Sequence, residues 1–281
     1  MTSWAGNFIV TKAALTHIPP VAYQFAAFTV SSIVLVSWSS LTYRRTPPKK
    51  LFLPIALLGV LGVCLNQLLF ASGLAATTAG NAALLVATVP VFALLLSSAI
   101  GEDRLSWPGA GGTLMSLVGV ALVLGSGRGI VVGGHMAGDL LVLASAITYA
   151  AFVSLGTKLG RDESPLSLTA WAFAIGTVFL LPVGVVQGSA VEWTDVHLSD
   201  FVAVLYSGVV IGIGNGLVMS SAQSLGPARV TRFQFLIPVM VVALAALFLG
   251  ESVRIEQMAG GALILAGVLI ARFKGRRVQS R

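Results

Sequence analysis

The chain has 281 residues, of which 56% are hydrophobic and 10% charged, and its net charge is +7. Soluble domains average about 25% charged residues, so this composition excludes an ordinary soluble domain and indicates an integral membrane protein. The basic residues lie in short loops and the tail, which indicates membrane topology and not a nucleic-acid partner. A single cysteine, Cys64, excludes a disulfide or a cysteine metal site within the chain, and we expect no cofactor.

Apolar runs follow one another along the chain, and a helix needs about 20 such residues to cross a bilayer. Because the runs are continuous, they predict helices; the strands of a membrane barrel would alternate apolar and polar residues. We therefore predict an all-α integral membrane protein with ten transmembrane helices. The predicted spans are residues 2–16, 21–42, 52–73, 79–100, 107–126, 139–158, 166–188, 200–222, 230–250 and 256–272.

Basic residues divide unevenly between the two sides of this topology. With the C-terminal tail in the cytoplasm, the outer side carries Lys12, Arg128 and Arg254. The cytoplasmic side carries the other 14: Arg44, Arg45, Lys49, Lys50, Arg104, Lys158, Arg161, Arg229, Arg232, Arg272, Lys274, Arg276, Arg277 and Arg281. Since cytoplasmic loops are enriched in Lys and Arg, the asymmetry predicts that both termini lie on the cytoplasmic side of the inner membrane.

The two halves of the chain repeat each other in order, at separations of 148 or 149 residues. The matched pairs include Gly59 with Gly208, Asn66 with Asn215, Ser72 with Ser221, Pro90 with Pro238, Gly112 with Gly260 and Gly119 with Gly267. We place the repeats at residues 1–127 and 138–272, followed by a basic cytoplasmic tail at 273–281. Five spans in each repeat would put the second copy upside down, as in secondary transporters with a midplane substrate site.

The first predicted span, 2–16, is shorter than its counterpart in the second repeat, 139–158. When the two are aligned, the first lacks roughly its first eight residues. We expect that the start at Met1 is late or that the chain is truncated. A half-helix shielded inside the bundle is the alternative.

Short motifs keep a fixed order along the whole chain. They are Trp4-Ala5-Gly6-Asn7-Phe8, Gly73-Leu74, Ala79-Gly80-Asn81-Ala82-Ala83-Leu84-Leu85, Gly101-Glu102, Leu249-Gly250-Glu251 and Gly260-Gly261-Ala262-Leu263-Ile264-Leu265-Ala266-Gly267. Together these motifs resemble the drug/metabolite transporter superfamily, EamA type. The resemblance implies a ten-helix transporter of metabolites, often an exporter of amino acids or related small molecules, without implying one substrate.

Polar and aromatic side chains inside apolar spans are candidates for substrate binding, because lipid-facing positions disfavour polar groups. The candidates are Trp4, Asn7, Asn66, Tyr149, Trp171, Asn215 and Gln234. For each of them, hydrogen bonding or packing between helices is the alternative. Rings and amides together suit a zwitterionic or aromatic metabolite.

A second group of residues is predicted to act in gating or as hinges. It comprises Lys12, Pro90, Gly208, Gly212, Gly216 and Pro238. Lys12 either meets a substrate carboxylate, or snorkels to the outer surface or forms a gate contact. The prolines remove backbone hydrogen bonds within spans 79–100 and 230–250. The glycines allow close helix contact and sliding.

The sequence also bears on energy coupling and on competing functions. Since no Asp or Glu lies in the interior of a predicted span, we predict facilitated diffusion or coupling through a less usual group. The sequence shows no nucleophile–base pair, no carboxylate pair and no metal cluster that would indicate an enzyme. We expect an alternating-access carrier of a small-molecule substrate in the lipid bilayer, without nucleic acid. We also expect a monomer, with a dimer as its alternative. A non-transporting membrane scaffold is the competing function.

Overall fold

A computed structural model describes residues 2–43, 49–101, 106–125, 135–159, 164–225, 236–251 and 253–273. The regular structure in these ranges is helical, as predicted. The helices are α1 (Thr2–Ala14), α2 (Pro20–Tyr43), α3 (Phe52–Gly59), α4 (Asn66–Ala76), α5 (Ala79–Val86), α6 (Val89–Ala99), α7 (Trp107–Gly125), α8 (His135–Leu159), α9 (Pro165–Ser189), α10 (Leu198–Leu225), α11 (Leu236–Phe248) and α12 (Ile255–Phe273). A 3-10 turn at Lys49–Leu51 precedes α3, and a π-helical stretch at Val60–Leu65 joins α3 to α4.

Within the described residues, 7 helical stretches are long and apolar enough to cross a membrane. They are Pro20–Tyr43, Lys49–Ala76, Ala79–Ala99, Trp107–Leu124, His135–Gly156, Pro165–Ser189 and Leu198–Val218. Two shorter apolar helices follow at Ile237–Phe248 and Ile255–Ala271, and α1 has 13 residues. The all-helical membrane fold is therefore confirmed, while the ten-span inverted repeat stays a prediction.

Some boundaries differ from the predicted spans for local reasons. Span 79–100 consists of two helices, because Pro90 stands in the first turn of α6 and the chain turns between Val86 and Val89. Span 139–158 begins earlier, since α8 starts at His135. Asp139 is therefore in the second turn of a membrane helix and is 1% exposed. One carboxylate is thus buried one turn inside the start of this helix.

Glycines set the closest helix crossings. A Cβ on Gly138 of α8 would lie 2.8 Å from the carbonyl oxygen of Gly73 on α4. On the predicted small-residue steps of α10, a Cβ on Gly208 would clash with Ala27 and Val30 of α2, and one on Gly216 with Trp38. A Cβ on Gly212 would be a tight contact, 3.1 Å from the carbonyl oxygen of Ser31. These glycines thus pack α10 directly on α2, which is the close contact predicted for them.

Several helix ends meet at one end of the bundle. The C-terminal ends of α1, α4 and α11 contact the N-terminal ends of α5, α8 and α12, through hydrogen bonds among polar side chains and backbone groups. We call this the network end, defined by Lys12, Thr77, Asp139 and Glu251.

Candidate functional site

A cavity of about 200 Å³ lies in the middle of the bundle. Its polar lining is made of amides and hydroxyls: Asn7, Gln24, Asn66, Gln67, Ser145, Tyr149 and Asn215. Its aromatic lining is made of Trp4, Phe8, Phe28, Phe70, Tyr149 and Phe173. Among the described residues that line it, none is charged. A mostly apolar pocket with a few convergent polar groups is the usual form of a small-molecule site.

Asn66 anchors one wall of the cavity. Its Nδ2 donates to the carbonyl oxygen of Ser145 on α8 at 2.8 Å, and its Oδ1 accepts from Nε2 of Gln67 at 2.6 Å. The π-helical stretch ends immediately before Asn66, and single π turns inside helices are frequently found at functional sites. Asn66 therefore joins two helices and lines the cavity at the same time. Its contact with a substrate stays a prediction.

Tyr149 and Asn215 both line the cavity and contact each other directly. The hydroxyl of Tyr149 on α8 donates to Oδ1 of Asn215 on α10 at 3.2 Å. Asn215 Nδ2 donates to the carbonyl oxygen of Ile211 one turn earlier, at 2.9 Å. Two of the predicted binding residues, taken from different spans, are thus brought together in one contact.

Two amide oxygens near the cavity have no hydrogen-bond partner in the described part of the chain. They are Oδ1 of Asn7 on α1 and Oε1 of Gln24 on α2, and both atoms are buried. Gln24 is 2% exposed. Burying an unpaired carbonyl group costs on the order of 1–3 kcal/mol. A ligand carrying N–H donors would remove that cost.

Three further predicted residues line the cavity. The ring of Trp4 lies against Gly214, where an added Cβ would be 2.3 Å from the indole. Pro90 and Pro238 stand near the N-terminal ends of α6 and α11 and both line the cavity. Pro90 has no N–H and so cannot donate to Val86, four residues earlier, which also lines the cavity.

The other predicted residues lie elsewhere. Trp171 packs against the hydrophobic cluster between α2, α3, α8 and α9 and is absent from the cavity lining. Gln234 lies outside the described residues. Lys12 is also away from the cavity: its Nζ donates to the carbonyl oxygens of Leu74 at 2.6 Å, Ala75 at 3.3 Å and Thr77 at 2.5 Å. This placement fits a gate contact between α1 and the C-terminal end of α4.

Sequence reasoning missed Gln24 and Gln67. Both are amides inside apolar spans, so the same rule that selected Asn66 could have found them. It also missed the aromatic pair at the cavity's network end, where the rings of Phe8 and Phe70 meet edge to face at 5.7 Å. That contact depends on how α1 and α4 are rotated, which no local pattern reveals.

The network end is held together by carboxylates. Glu251 accepts from the backbone N–H groups of Ala79 at 2.7 Å and Gly80 at 3.0 Å, at the N-terminus of α5. Backbone donors at a helix N-terminus have no partner within their helix and favour an anion. Asp139 accepts from Thr77 and Asn81.

Apolar helices long enough to span a membrane surround a cavity with polar groups, an architecture that fits a membrane transporter. Sequence comparison identifies the class. The signature of the EamA-like transporter family matches residues 1–125 and 136–273. The chain therefore belongs to the EamA-like transporter family and is a transporter, not an enzyme.

Curated relatives match this chain over nearly its full length. A probable terminal-alkyne amino-acid exporter of Streptantibioticus cattleyicolor is 29% identical, covering 99% of this chain and 93% of its own. A probable amino-acid metabolite efflux pump of Salmonella typhimurium is 27% identical, covering 98% and 93%. An uncharacterized inner membrane transporter of Escherichia coli is 27% identical, covering 95% and 86%.

A solved crystal structure has the same fold. It superposes with a TM-score of 0.68 over 99% of this chain and 95% of that one, at 19% sequence identity. At this identity the likeness concerns the fold alone. It agrees with the helical bundle described above.

Proposed function

We propose that this chain exports small amino-acid-like metabolites through the inner membrane by alternating access. The observation that supports this most is the cavity, whose described lining combines amides, hydroxyls and aromatic rings without a charged group. The similarity to an amino-acid exporter and to a metabolite efflux pump supports the same class of cargo and the same direction. A zwitterion fits such a lining, because its two charges cancel and amides offer both donors and acceptors.

The unpaired oxygens of Asn7 and Gln24 support an ammonium group as one end of the substrate. Hydrogen bonds to charged groups are worth about 1.5–3 kcal/mol, more than those between neutral partners. The rings of Phe8, Phe28 and Phe70 would then cover an apolar side chain. Asn66, Tyr149 and Asn215 remain candidate contacts on the other walls.

We further propose ten spans in two inverted repeats, with both termini cytoplasmic and the network end facing outward. Repeat-related contacts support the inverted repeat. Gly112 packs on the carbonyl of Gly267, and their repeat partners Gly260 and Gly119 pack on each other in the same way. Each half also has a glycine with positive φ after a helix, at Gly101 and at its partner 149 residues on, Gly250.

Counterflow in proteoliposomes tests the transport proposal. Purified protein is reconstituted with each unlabelled neutral amino acid inside, and uptake of the same labelled amino acid is measured. We expect counterflow for at least one neutral amino acid with an apolar side chain. Counterflow of lysine and glutamate alone, or of none of the panel, would contradict the proposal.

The substitution Gln24→Leu keeps the size of the side chain and removes its amide. We expect it to reduce counterflow at sub-saturating substrate about tenfold, the equivalent of one hydrogen bond to a charged group. The matched control is Thr29→Val on the same helix, because the Thr29 hydroxyl bonds to the backbone of Phe25 at 2.8 Å, outside the cavity lining. Equal counterflow in both variants would remove Gln24 from the site.

A further inference from the structure

Asp139 is a buried carboxylate with an unusual set of partners. It is 1% exposed in the second turn of α8, where the Gly73–Gly138 crossing holds α8 against α4. Its Oδ1 accepts from the hydroxyl of Thr77, and Nδ2 of Asn81 lies 3.2 and 3.1 Å from its two oxygens. Every one of these partners is a donor, so the arrangement fits the deprotonated form.

The partners of Asp139 are themselves tied to other helices. The backbone oxygen of Thr77 accepts from Nζ of Lys12 on α1 at 2.5 Å. Oδ1 of Asn81 accepts from Nε2 of Gln257 on α12. One carboxylate thus links α8, the α4–α5 turn, α1 and α12, which belong to both proposed repeats.

Asp139 has no direct cationic partner in the described part of the chain. The charged and titratable side chains on the surrounding described elements are Lys12 on α1, His135 on α8, Glu251 after α11, and Arg254 and Glu256 around the start of α12. Lys12 acts on Asp139 through Thr77, and Glu251 binds the α5 N-terminus instead. The carboxylate is therefore stabilised by the hydrogen bonds from Thr77 and Asn81, with a smaller electrostatic contribution from His135 on its own helix. These hydrogen bonds depend on its protonation.

We infer that Asp139 is a proton-binding site that couples proton movement to transport; the coupling rests on the proposed transport function. A carboxylate takes up one proton and becomes a carboxylic acid, which must donate where it formerly only accepted. Because Nδ2 of Asn81 reaches both oxygens, protonation of either oxygen weakens its contact with Asn81 or reverses that of Oδ1 with the Thr77 hydroxyl, while the other oxygen still accepts. Proton uptake at the network end therefore weakens the links between the helices there.

The consequence is exchange of a proton for a substrate. With the network end outward, a proton binds from outside when the bundle opens there and the substrate leaves. When the cavity opens to the cytoplasm, the proton leaves Asp139 through the cavity, whose described lining on α8 begins at Ser145, six residues further along the helix. This coupling replaces the facilitated diffusion predicted from the sequence, because that prediction depended on the absence of an intramembrane carboxylate.

Infrared spectroscopy on the protein in lipid tests proton binding without any substrate. Mild acidification of the wild type should produce the C=O band of a buried carboxylic acid. The band should be absent from Asp139→Asn and present in Asp200→Asn. Asp200 is the matched control, a buried acid at the same end that lies 3.1 Å from His17 and outside the Thr77–Asn81 network. A band that survives in Asp139→Asn overturns the inference.

A second variant, Asp139→Glu, tests the inference if Asp139→Asn does not fold. Asp139→Glu keeps the carboxyl group on a longer arm and should keep a band at a shifted frequency. If that band is unshifted from the wild type, the acid being titrated is another residue, and the inference is again overturned.

Transport in proteoliposomes then tests coupling, with the neutral amino acid that gives the fastest wild-type counterflow as the probe. An imposed pH gradient should drive its accumulation against its own gradient in the wild type and in Asp200→Asn, and fail to do so in Asp139→Asn. Exchange by Asp139→Asn should also lose the pH dependence of the wild type. Pyranine trapped in the vesicles reports the accompanying proton flux.

The outcomes separate the two proposals. If no amino acid shows counterflow while the Asp139 band titrates, the transport proposal fails and proton binding stands. If counterflow occurs but a pH gradient drives no accumulation in the wild type, or drives it equally in Asp139→Asn, coupling at Asp139 is overturned.

Discussion

Tyr149 offers a residue-scale test of the cavity. Its hydroxyl donates a hydrogen bond to Asn215, which also lines the cavity. The substitution Tyr149→Phe removes that bond and keeps the ring. A net hydrogen bond is worth about 0.5–1.5 kcal/mol, so we expect KM for counterflow to rise about 2- to 10-fold. The rise follows because Asn215, which lines the cavity, keeps only its bond to Ile211 and its amide is held less firmly.

Tyr206→Phe is the control for this prediction. The Tyr206 hydroxyl also donates across a helix contact, to the carbonyl oxygen of Ser3 at 2.9 Å, but Tyr206 is outside the cavity lining. A KM change of the same size in both variants would show that the effect comes from loosened packing and not from the site.

Residue chemistry explains what could be predicted at this scale. A polar group in an apolar span is readable from the sequence alone, and Asn7, Asn66, Tyr149 and Asn215 were found to line one cavity in this way. Rotation of each helix about its axis is not readable, so Trp171 lies against a hydrophobic cluster instead. Asp139 was misplaced because its helix begins one turn before the apolar run does.

At the scale of elements, two irregular helices shape the cavity. The π-helical stretch interrupts the passage from α3 to α4, and the Pro90 turn interrupts that from α5 to α6. The break at Pro90 can be predicted from the sequence, since proline lacks the N–H that continues a helix. The π-helical turn carries no such signal in the sequence Val60–Leu65 and could not be predicted.

The pairing of α7 with α12 gives a stability prediction. An added Cβ on Gly112 would lie 2.4 Å from the carbonyl oxygen of Gly267, so Gly112→Ala must push the two backbones apart. Overpacking of this kind costs about 1–3 kcal/mol. We expect a lower apparent melting temperature for the purified protein in detergent.

The neighbouring glycine provides the control. Gly111 has no atom within 4 Å of an added Cβ, and alanine is the better helix former by about 0.8–1.0 kcal/mol. Gly111→Ala should therefore leave the melting temperature unchanged or raise it. Equal losses in both variants would mean that the glycines act through backbone conformation and not through the α7–α12 contact.

At the scale of the whole molecule, composition and continuous apolar runs were enough to predict a helical membrane protein. Gly59 of α3 packs against α9, and its repeat partner Gly208 of α10 packs against α2. Since α9 and α2 are themselves repeat partners, the two contacts are equivalent, which supports the inverted repeat inferred from sequence matches. The network end could not be predicted, because it depends on which helix ends contact each other in three dimensions. The local sequence around Thr77 or Gln257 does not indicate those contacts.

The direction of the bundle in the membrane is the last prediction. Gln187 near the end of α9 accepts from the backbone N–H of Val21 at 2.8 Å, so the end of α9 lies beside the start of α2. Thr42, near the other end of α2, is 21 residues further on, about 32 Å along a helix. Thr42 and Ser189 are therefore on opposite sides of the bundle, and both are exposed.

Single cysteines at these two positions decide which side is which. In a Cys64→Ser background, an impermeant thiol reagent should label Ser189→Cys in intact cells and Thr42→Cys only after the membrane is permeabilised. The excess of basic residues beside Thr42, among them Arg44, Arg45 and Lys49, is the physical reason, since such loops stay in the cytoplasm. The reverse pattern would invert the orientation and place the network end inside. Labelling of both sites in intact cells would contradict the spanning arrangement of α2 and α9 itself.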